Sequence, residues 1–243
     1  MPAAPVPGPR GAGLPGTGLT DIGLSSTVVV ALGDRTATKV GDHELLIHLV
    51  ARLAGVDAAS VALAQRCPHC GAPGHGPLRV SIDGSSSGAP LVSLARAGGL
   101  LALAVTAAGP VGIDLESLAA LAHAPLNDVV LSPAETATLA MLSPTIAASA
   151  LAAIWTTKEA VLKAAGVGLQ VDPRELTIAL DPAGSPEDPP TIPRLPVSWP
   201  GAPFPENRVQ VLSVDAPRGL VCTVAVVCAA RPALMMVPLT PRW

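Results

Sequence analysis

The segment from Thr136 to Thr157 carries no formal charge for twenty-two residues, a length that could span a bilayer. It consists mostly of Ala, Ser and Thr, it is interrupted at Ser143-Pro144, and it leads directly into Lys158 and Glu159. These features favour a buried helix of a globular protein over a membrane span. We predict that a long helix starts at Ser143-Pro144 and ends before Gly166.

The end of this helix contains two of the three lysines of the chain, Lys158 and Lys163. Helical spacing places Trp155, Glu159 and Lys163 on one face, because they are four residues apart. Taken alone, the pattern is more typical of an ordinary Glu–Lys pair on a solvated helix. A functional interpretation therefore needs a second motif.

A second motif is the run Val111-Gly112-Ile113-Asp114-Leu115-Glu116, which follows Gly109-Pro110 and alternates apolar with acidic residues. In a strand, residues two apart point to the same side, so Asp114 and Glu116 share a face. The solvated face of an edge strand would show the same alternation. With Glu159 as a third carboxylate, however, the set offers the hard oxygen ligands that suit Mg²⁺.

In this order and at this separation, the two segments resemble the signature of the 4'-phosphopantetheinyl transferases. The total length is similar to that of their surfactin-synthetase-type branch. Looser similarity extends from about residue 42 to residue 180. The matching residues are Gly112-Ile-Asp114-Leu-Glu116 and Trp155-Thr-Thr-Lys158-Glu159-Ala-Val-Leu-Lys163 with the trailing Gly166-Val-Gly168-Leu169.

The resemblance implies transfer of the 4'-phosphopantetheine arm of coenzyme A to a serine of an apo carrier protein, with release of adenosine 3',5'-bisphosphate. It implies that Asp114, Glu116 and Glu159 hold Mg²⁺ and that Glu159 acts as the general base. Lys163 would neutralise or protonate the leaving phosphate, and Lys158 would contact coenzyme A. The partners implied are apo acyl or peptidyl carrier proteins of fatty acid, polyketide or nonribosomal peptide synthesis.

The chain departs from the family pattern ahead of the acidic strand. Where the family usually has a Ser-His-Ser type segment whose histidine binds the 3'-phosphate of coenzyme A, this chain has Ala95-Arg96-Ala97. Arginine also binds phosphate, so Arg96 is a candidate coenzyme A ligand, with a plain surface arginine as the alternative. The altered segment supports a second hypothesis for the whole protein, a non-catalytic module that binds coenzyme A or a carrier protein.

The order of predicted helices and strands indicates an α+β fold. The resemblance further implies two pseudo-symmetric α+β lobes, residues 21–115 and 116–230, with the active site in the cleft between them. Residues 1–20 are rich in Pro and Gly and are predicted to be a disordered leader, and residues 231–243 a tail.

The local patterns within these lobes predict several elements. A helix should begin at Asp42, and Ser132-Pro133-Ala134-Glu135 is a capping box that starts another. Strands are predicted at 78–82, 100–106, 174–180, 208–214 and 220–227. The strand at 100–106 is expected to form a hairpin with the acidic strand, and the last two strands another.

Composition excludes some function classes. The chain has one Phe, no Tyr and three Trp, so its core must be largely Ala, Val and Leu, and aromatic platforms for stacking bases are lacking. A net charge of −3 also argues against binding nucleic acid. Since residues 1–20 lack the apolar stretch of a secretory signal, we expect a cytoplasmic protein that contacts no membrane. We also expect it to be a monomer.

The four cysteines are expected to be reduced in that compartment. Cys67-Pro68-His69-Cys70, with a histidine five residues further on, has half the spacing of a zinc knuckle, and a closed site needs four ligands. A metal-free turn is the favoured interpretation, and a bound zinc is the alternative. The further ligands would then be His69 and His75, or Cys222 and Cys228.

Overall fold

The computed structural model describes residues 22–85, 88–124, 126–179 and 197–240. The strands are β1 (Thr27–Asp34), β2 (Val61–Arg66), β3 (Pro73–Ile82), β4 (Leu91–Ala97), β5 (Leu100–Thr106), β6 (Val111–Ser117), β7 (Thr177–Ile178), β8 (Val197–Ser198), β9 (Val209–Val214), β10 (Leu220–Val227) and β11 (Ala233–Pro238). The α-helices are α1 (Lys39–Ala54), α2 (Leu118–Leu121), α3 (Asn127–Val130), α4 (Pro133–Leu139) and α5 (Pro144–Ala165).

Two sheets organise these elements into a mixed α+β fold, as predicted. One sheet has the strand order β11-β1-β5-β4 and the other the order β6-β10-β9. β11 runs parallel to β1, while the other neighbours in both sheets are antiparallel. The buried apolar residues of the described chain are mostly Val, Leu, Ala and Ile, so the predicted aliphatic core is confirmed.

Strand pairing differs from the sequence prediction in two places. β5 pairs with β1 and β4, whereas β6 pairs with β10, so the predicted hairpin of the acidic strand with residues 100–106 is wrong. The predicted tail contains β11, which extends the first sheet beside β1. The predicted boundary between the two lobes, at residues 115 and 116, also falls inside β6. The leader, residues 1–20, lies outside the described residues.

The helix starts follow their local capping signals. α4 has the predicted capping box, with the Ser132 and Glu135 side chains bonded to each other's backbone N–H. α5 begins at Pro144, and Gly166 after its last residue adopts the left-handed conformation, as predicted. In α1 the cap is Thr38, not Asp42, because the Thr38 side chain accepts the hydrogen bond from the backbone of Gly41.

α5 packs very closely on β6 at Gly112. A Cβ atom at this position would lie 1.9 Å from the carbonyl oxygen of Ala160 and 2.6 Å from the backbone nitrogen of Ala164. These are backbone atoms that cannot move aside, so the contact requires glycine. The same approach brings the acidic residues of β6 next to the charged end of α5. No helix within the described ranges is both long and apolar enough to cross a membrane.

Candidate active site

Lys163 on α5 is the centre of the charged cluster. Its Nζ donates a hydrogen bond of 2.7 Å to Asp114 Oδ1 and one of 3.1 Å to the carbonyl oxygen of Ile113. Nζ also lies 3.9 Å from Glu159 Oε2, one helical turn earlier. The structure therefore brings together Asp114, Glu159 and Lys163, which lie in two separate sequence motifs.

Asp114 is buried in a way that leaves its charge only partly compensated. Its Oδ2 is buried and has no hydrogen-bond partner in the described structure. Burial raises the pKa of Asp114 to about 7 against the opposing effect of Lys163, and the charges of Glu159 and Glu116 raise it further. Burial also raises the pKa of Glu159, again opposed by Lys163. Both carboxyl groups therefore bind protons more strongly than exposed ones do.

Glu116 is oriented by the indole of Trp155. Trp155 Nε1 donates a hydrogen bond of 3.0 Å to Glu116 Oε1, joining α5 to β6 a second time. The Trp155 ring is partly buried against the hydrophobic core beneath α5. Its polar end fixes one of the three carboxylates.

The donors of this cluster fit Mg²⁺. They are carboxylate oxygens, and the buried Oδ2 of Asp114 lacks the positive partner that such an atom normally has. The three carboxylates do not form a closed cage, because Lys163 lies between Asp114 and Glu159. Mg²⁺ usually takes one or two protein carboxylates and completes its shell with water and substrate phosphates, so a closed cage is not required.

A cleft of about 820 Å³ opens beside this cluster. Glu159 and Lys163 form one side of it, and residues of α1, β3 and β4 form another. The cations that line it are Lys39, Arg79, Arg96 and Lys163, and Glu159 is the one carboxylate among the lining residues of the described chain. A cleft with this excess of positive charge suits a ligand that carries several negative charges.

Arg96 lies on the cleft wall, and its guanidinium is held by a carboxylate of α1. Its Nε donates a hydrogen bond to Asp42 Oδ2, while its Nη2 is buried without a partner in the described structure. Burial would raise the pKa of Asp42, but hydrogen bonds from Arg96 and Thr36 lower it below its usual value. Arg96 is therefore a positioned side chain and not a plain surface arginine.

Arg35 was not among the predicted site residues, although its Nη2 lies 3.9 Å from Asp42 Oδ2. It is the first residue after β1, in the loop to α1, a position with no local motif. Only the tertiary contacts of Asp42 on α1 show that Arg35 and Arg96 share the same carboxylate.

Lys158 requires a correction. Its side chain is fully buried, and Nζ donates hydrogen bonds of 2.6 Å to Glu135 Oε2 and to the carbonyl oxygen of Val130. Glu135 also accepts hydrogen bonds from the backbone N–H groups of Ser132 and Ile178. A side chain with no exposed surface does not contact coenzyme A, so the predicted role of Lys158 is wrong in this conformation. It instead ties α5 to α3 and α4, and through Glu135 to β7.

Comparison with known families adds a finding for part of the chain. Residues 110–209 match the family model described as 4'-phosphopantetheinyl transferase superfamily. The match covers fewer than half of the 243 residues, but it includes both motifs, while Arg96 lies outside it. It supports the superfamily, which implies phosphopantetheinyl transfer to carrier proteins in general, and it does not distinguish branches within it. No curated protein matches the chain.

Proposed function

We propose that this protein transfers the 4'-phosphopantetheine arm of coenzyme A to a serine hydroxyl of an apo acyl or peptidyl carrier protein, with Mg²⁺, releasing adenosine 3',5'-bisphosphate. The observation that carries the proposal is the cluster of Asp114, Glu159 and Lys163 beside a cationic cleft. A buried carboxylate without a full complement of partners is costly, and a site for catalysis explains its presence.

Coenzyme A carries a pyrophosphate and a 3'-phosphate, and the cationic lining of the cleft suits these groups. We assign the 3'-phosphate to Arg96, because its side chain is 25% exposed on the cleft wall and Asp42 holds the guanidinium in place. Arginine can bind phosphate through two nitrogens at once. The Ala95 and Ala97 neighbours add no hydroxyl group, so Arg96 would provide this contact largely alone.

Asp114, Glu116 and Glu159 would hold the Mg²⁺, which when bound supplies positive charge at the pyrophosphate. Trp155 keeps Glu116 in position through its indole N–H. Gly112 allows α5 to approach β6 so closely that Glu159 faces the same region as Asp114.

The reaction forms a bond from the serine oxygen to the phosphorus that carries pantetheine. The bond from that phosphorus to the bridging oxygen breaks, and its electrons remain on the 5'-phosphate of adenosine 3',5'-bisphosphate. Glu159 accepts the serine proton, a task for which its raised pKa suits it. Lys163 donates a hydrogen bond to the departing phosphate oxygen and balances its charge.

The remaining parts of the proposal rest on the resemblance described above. We propose that the two sheets with their long helices are pseudo-symmetric lobes of the surfactin-synthetase-type branch. Coenzyme A would lie in the cleft between them, and carriers of fatty acid, polyketide or nonribosomal peptide synthesis would be modified. We also propose that the protein acts as a monomer in the cytoplasm.

A non-catalytic module that binds coenzyme A or a carrier protein is the second candidate. The observation in its favour is the Ala95-Arg96-Ala97 segment, which lacks hydroxyl groups beside the basic residue. Such a binder has no need of a base and a metal set, and the Asp114–Lys163–Glu159 cluster therefore favours the transferase.

The deciding experiment is intact-mass analysis of several apo carrier proteins incubated with the protein, coenzyme A and Mg²⁺. We expect a mass gain of one phosphopantetheine arm, abolished by EDTA and by Glu159→Gln, but retained in the exposed control Glu175→Gln. If no carrier gains mass although coenzyme A binds calorimetrically, the transferase proposal is wrong and the binding module replaces it.

A further inference from the structure

A second cluster of metal-ligating side chains lies in the hairpin of β2 and β3, and the proposed transfer does not use it. One ligand atom each from Cys67, Cys70 and His75 lies within 4.8 Å of the other two. Within the part of the chain that the structure describes, this is the group of His, Cys, Asp or Glu side chains whose three ligand atoms come this close together. The cysteines are not joined in a disulfide.

The turn between the cysteines is folded around the first sulfur. The backbone N–H of Gly71 donates to the carbonyl oxygen of Cys67 at 2.9 Å, and the N–H of Cys67 donates to the carbonyl of Ala72 at 3.0 Å. Gly71 has a φ of 71°, which favours glycine directly after the second cysteine. The backbone N–H groups of Cys70 and His69 donate hydrogen bonds to the Cys67 sulfur and so fix its position in the turn.

His75 is held over this turn from both sides. The carbonyl oxygen of Gly74 accepts a 2.6 Å hydrogen bond from Lys39 Nζ, and that of Gly76 accepts a 2.8 Å hydrogen bond from Gln65 Nε2. Gly76 also packs against the cysteine turn, since a Cβ there would lie 2.7 Å from Cys67 Cα. The strand that carries His75 is therefore fixed against Cys67 by contacts outside the cluster.

The spacing of sulfur and nitrogen matches a tetrahedral site. Cys70 Sγ lies 3.3 Å from His75 Nε2. With Zn–S of about 2.3 Å and Zn–N of about 2.0–2.1 Å, the tetrahedral angle separates two such ligands by about 3.6 Å. The pair is thus within a few tenths of an ångström of the separation that zinc requires.

We propose that Cys67, Cys70 and His75 bind a Zn²⁺ ion whose fourth position is open to water or another external ligand. Two thiolates and an imidazole favour Zn²⁺ over Mg²⁺, which prefers oxygen ligands. The sequence interpretation favoured a metal-free turn because a closed site needs four ligands. Three protein ligands and one exchangeable position form an established zinc arrangement, and the structure supplies the three.

The site also has a place in the architecture of the cleft. Cys67 and His75 line the same cleft as Glu159 and Lys163. A metal there would pin the end of the β2–β3 hairpin, which forms one cleft wall. Loss of the metal should therefore loosen this wall without removing any residue of the charged cluster.

The test is metal analysis of the full chain, purified under reducing conditions without added zinc, followed by titration of the metal-free protein with Co²⁺. We expect close to one equivalent of zinc and, with Co²⁺, the charge-transfer absorption that reports cobalt bound to thiolate. That absorption separates this site from any ion held by carboxylates. His75→Asn and Cys70→Ser should weaken metal binding at least 100-fold. Mutating a residue that only hydrogen-bonds to a metal ligand typically costs about 10–100-fold in affinity, so the loss of a ligand should reach or exceed the upper end of that range.

His69→Asn is the matched control, because His69 lies in the same turn but outside the ligand group, and it should keep full affinity. Absence of both zinc and the cobalt–thiolate absorption in the reduced wild-type protein would overturn the proposal, whatever the folding of the variants. A weakening in His69→Asn equal to that in His75→Asn would overturn the open three-ligand site. Neither readout depends on carrier modification, so the outcome is separate from that of the transferase proposal.

Discussion

Replacing Lys158 with methionine tests the assignment of this motif residue to the interior of the protein. The variant keeps most of the side-chain volume but removes the ammonium group that lies 2.6 Å from Glu135 Oε2 and from the carbonyl of Val130. Breaking a buried ion pair by removing one partner costs about 3–5 kcal/mol, because the other charge remains buried. Glu135 retains two backbone N–H donors, so we expect the lower end, about 3 kcal/mol.

Urea unfolding followed by circular dichroism measures this loss, and about 3 kcal/mol corresponds to a fall of roughly 6–12 °C in Tm for a chain of this size. The double variant Lys158→Met with Glu135→Gln should recover part of the stability, since no buried charge is then left alone. Coenzyme A affinity of the folded single variant should stay within about twofold of wild type, because the side chain has no exposed surface.

Lys163→Met is the matched control on the same helix, since Lys163 is part of the cleft. It should abolish transfer while lowering stability less than Lys158→Met does, because Asp114, whose pKa is raised to about 7, can take up a proton when its partner is removed. A Lys158→Met protein with wild-type stability and coenzyme A affinity reduced tenfold or more would refute the buried assignment and restore the contact predicted from the sequence.

Four further results are expected. Trp155→Phe removes the indole N–H that holds Glu116, so the rate of transfer at subsaturating Mg²⁺ should fall about tenfold. This corresponds to the lower end of the free energy of a hydrogen bond to a charged group, about 1.5 kcal/mol. An unchanged Mg²⁺ dependence would contradict this. Arg96→Ala should weaken binding of coenzyme A more than that of its 3'-dephosphorylated form in calorimetry, and equal losses would refute the phosphate contact. Because the folded pKa of Asp42 lies below the usual value, its pairing contributes stability above about pH 4, and this contribution is lost as the pH falls through the lowered value. Urea unfolding of Asp42→Asn should therefore show a smaller loss of stability on acidification than wild type does, and identical pH profiles would contradict the assignment. Gly112→Ala should destabilise the protein by about 3 kcal/mol or more, and wild-type unfolding would show that α5 and β6 are not packed as described.

The parts of the fold that were predictable from the sequence are those with local signals. α5 carries proline at its first position and glycine after its last, and α4 carries a complete capping box. These signals act within one turn of helix, so they can be read without knowing the tertiary structure.

Strand partners were not predictable in the same way. β6 pairs with β10, about a hundred residues later, and β1 pairs with β11, about two hundred residues later. A tight connection at Gly109-Pro110 suggested a hairpin, but a short link does not establish hydrogen bonding between the strands that it joins. The backbone at Gly109 in fact passes so close to Val227 on β10 that a Cβ would lie 2.0 Å from its carbonyl oxygen.

The charged cluster shows the same division between local and tertiary information. Helical geometry predicted that Glu159 and Lys163 share a face, and adjacent helix positions such as Lys158 and Glu159 differ in direction by about 100°. It did not reveal that Lys158 points inward, because that direction depends on Glu135 from α4. His75 was likewise only one possible ligand until the hairpin placed it beside Cys70.

The close packing that builds the site also leaves it electrostatically incomplete. Gly112 lets α5 approach β6, and this approach buries Asp114 with one oxygen unpartnered. Lys163 offsets part of the cost through Oδ1, but Oδ2 has no partner in the described structure. A bound cation beside that oxygen would remove the remaining cost, so the loaded state should be more stable than the free protein. Because a ligand that binds only the folded state stabilises it by RT ln(1 + [L]/Kd), Mg²⁺ and coenzyme A together should raise Tm, and Asp114→Asn should lose the part due to Mg²⁺.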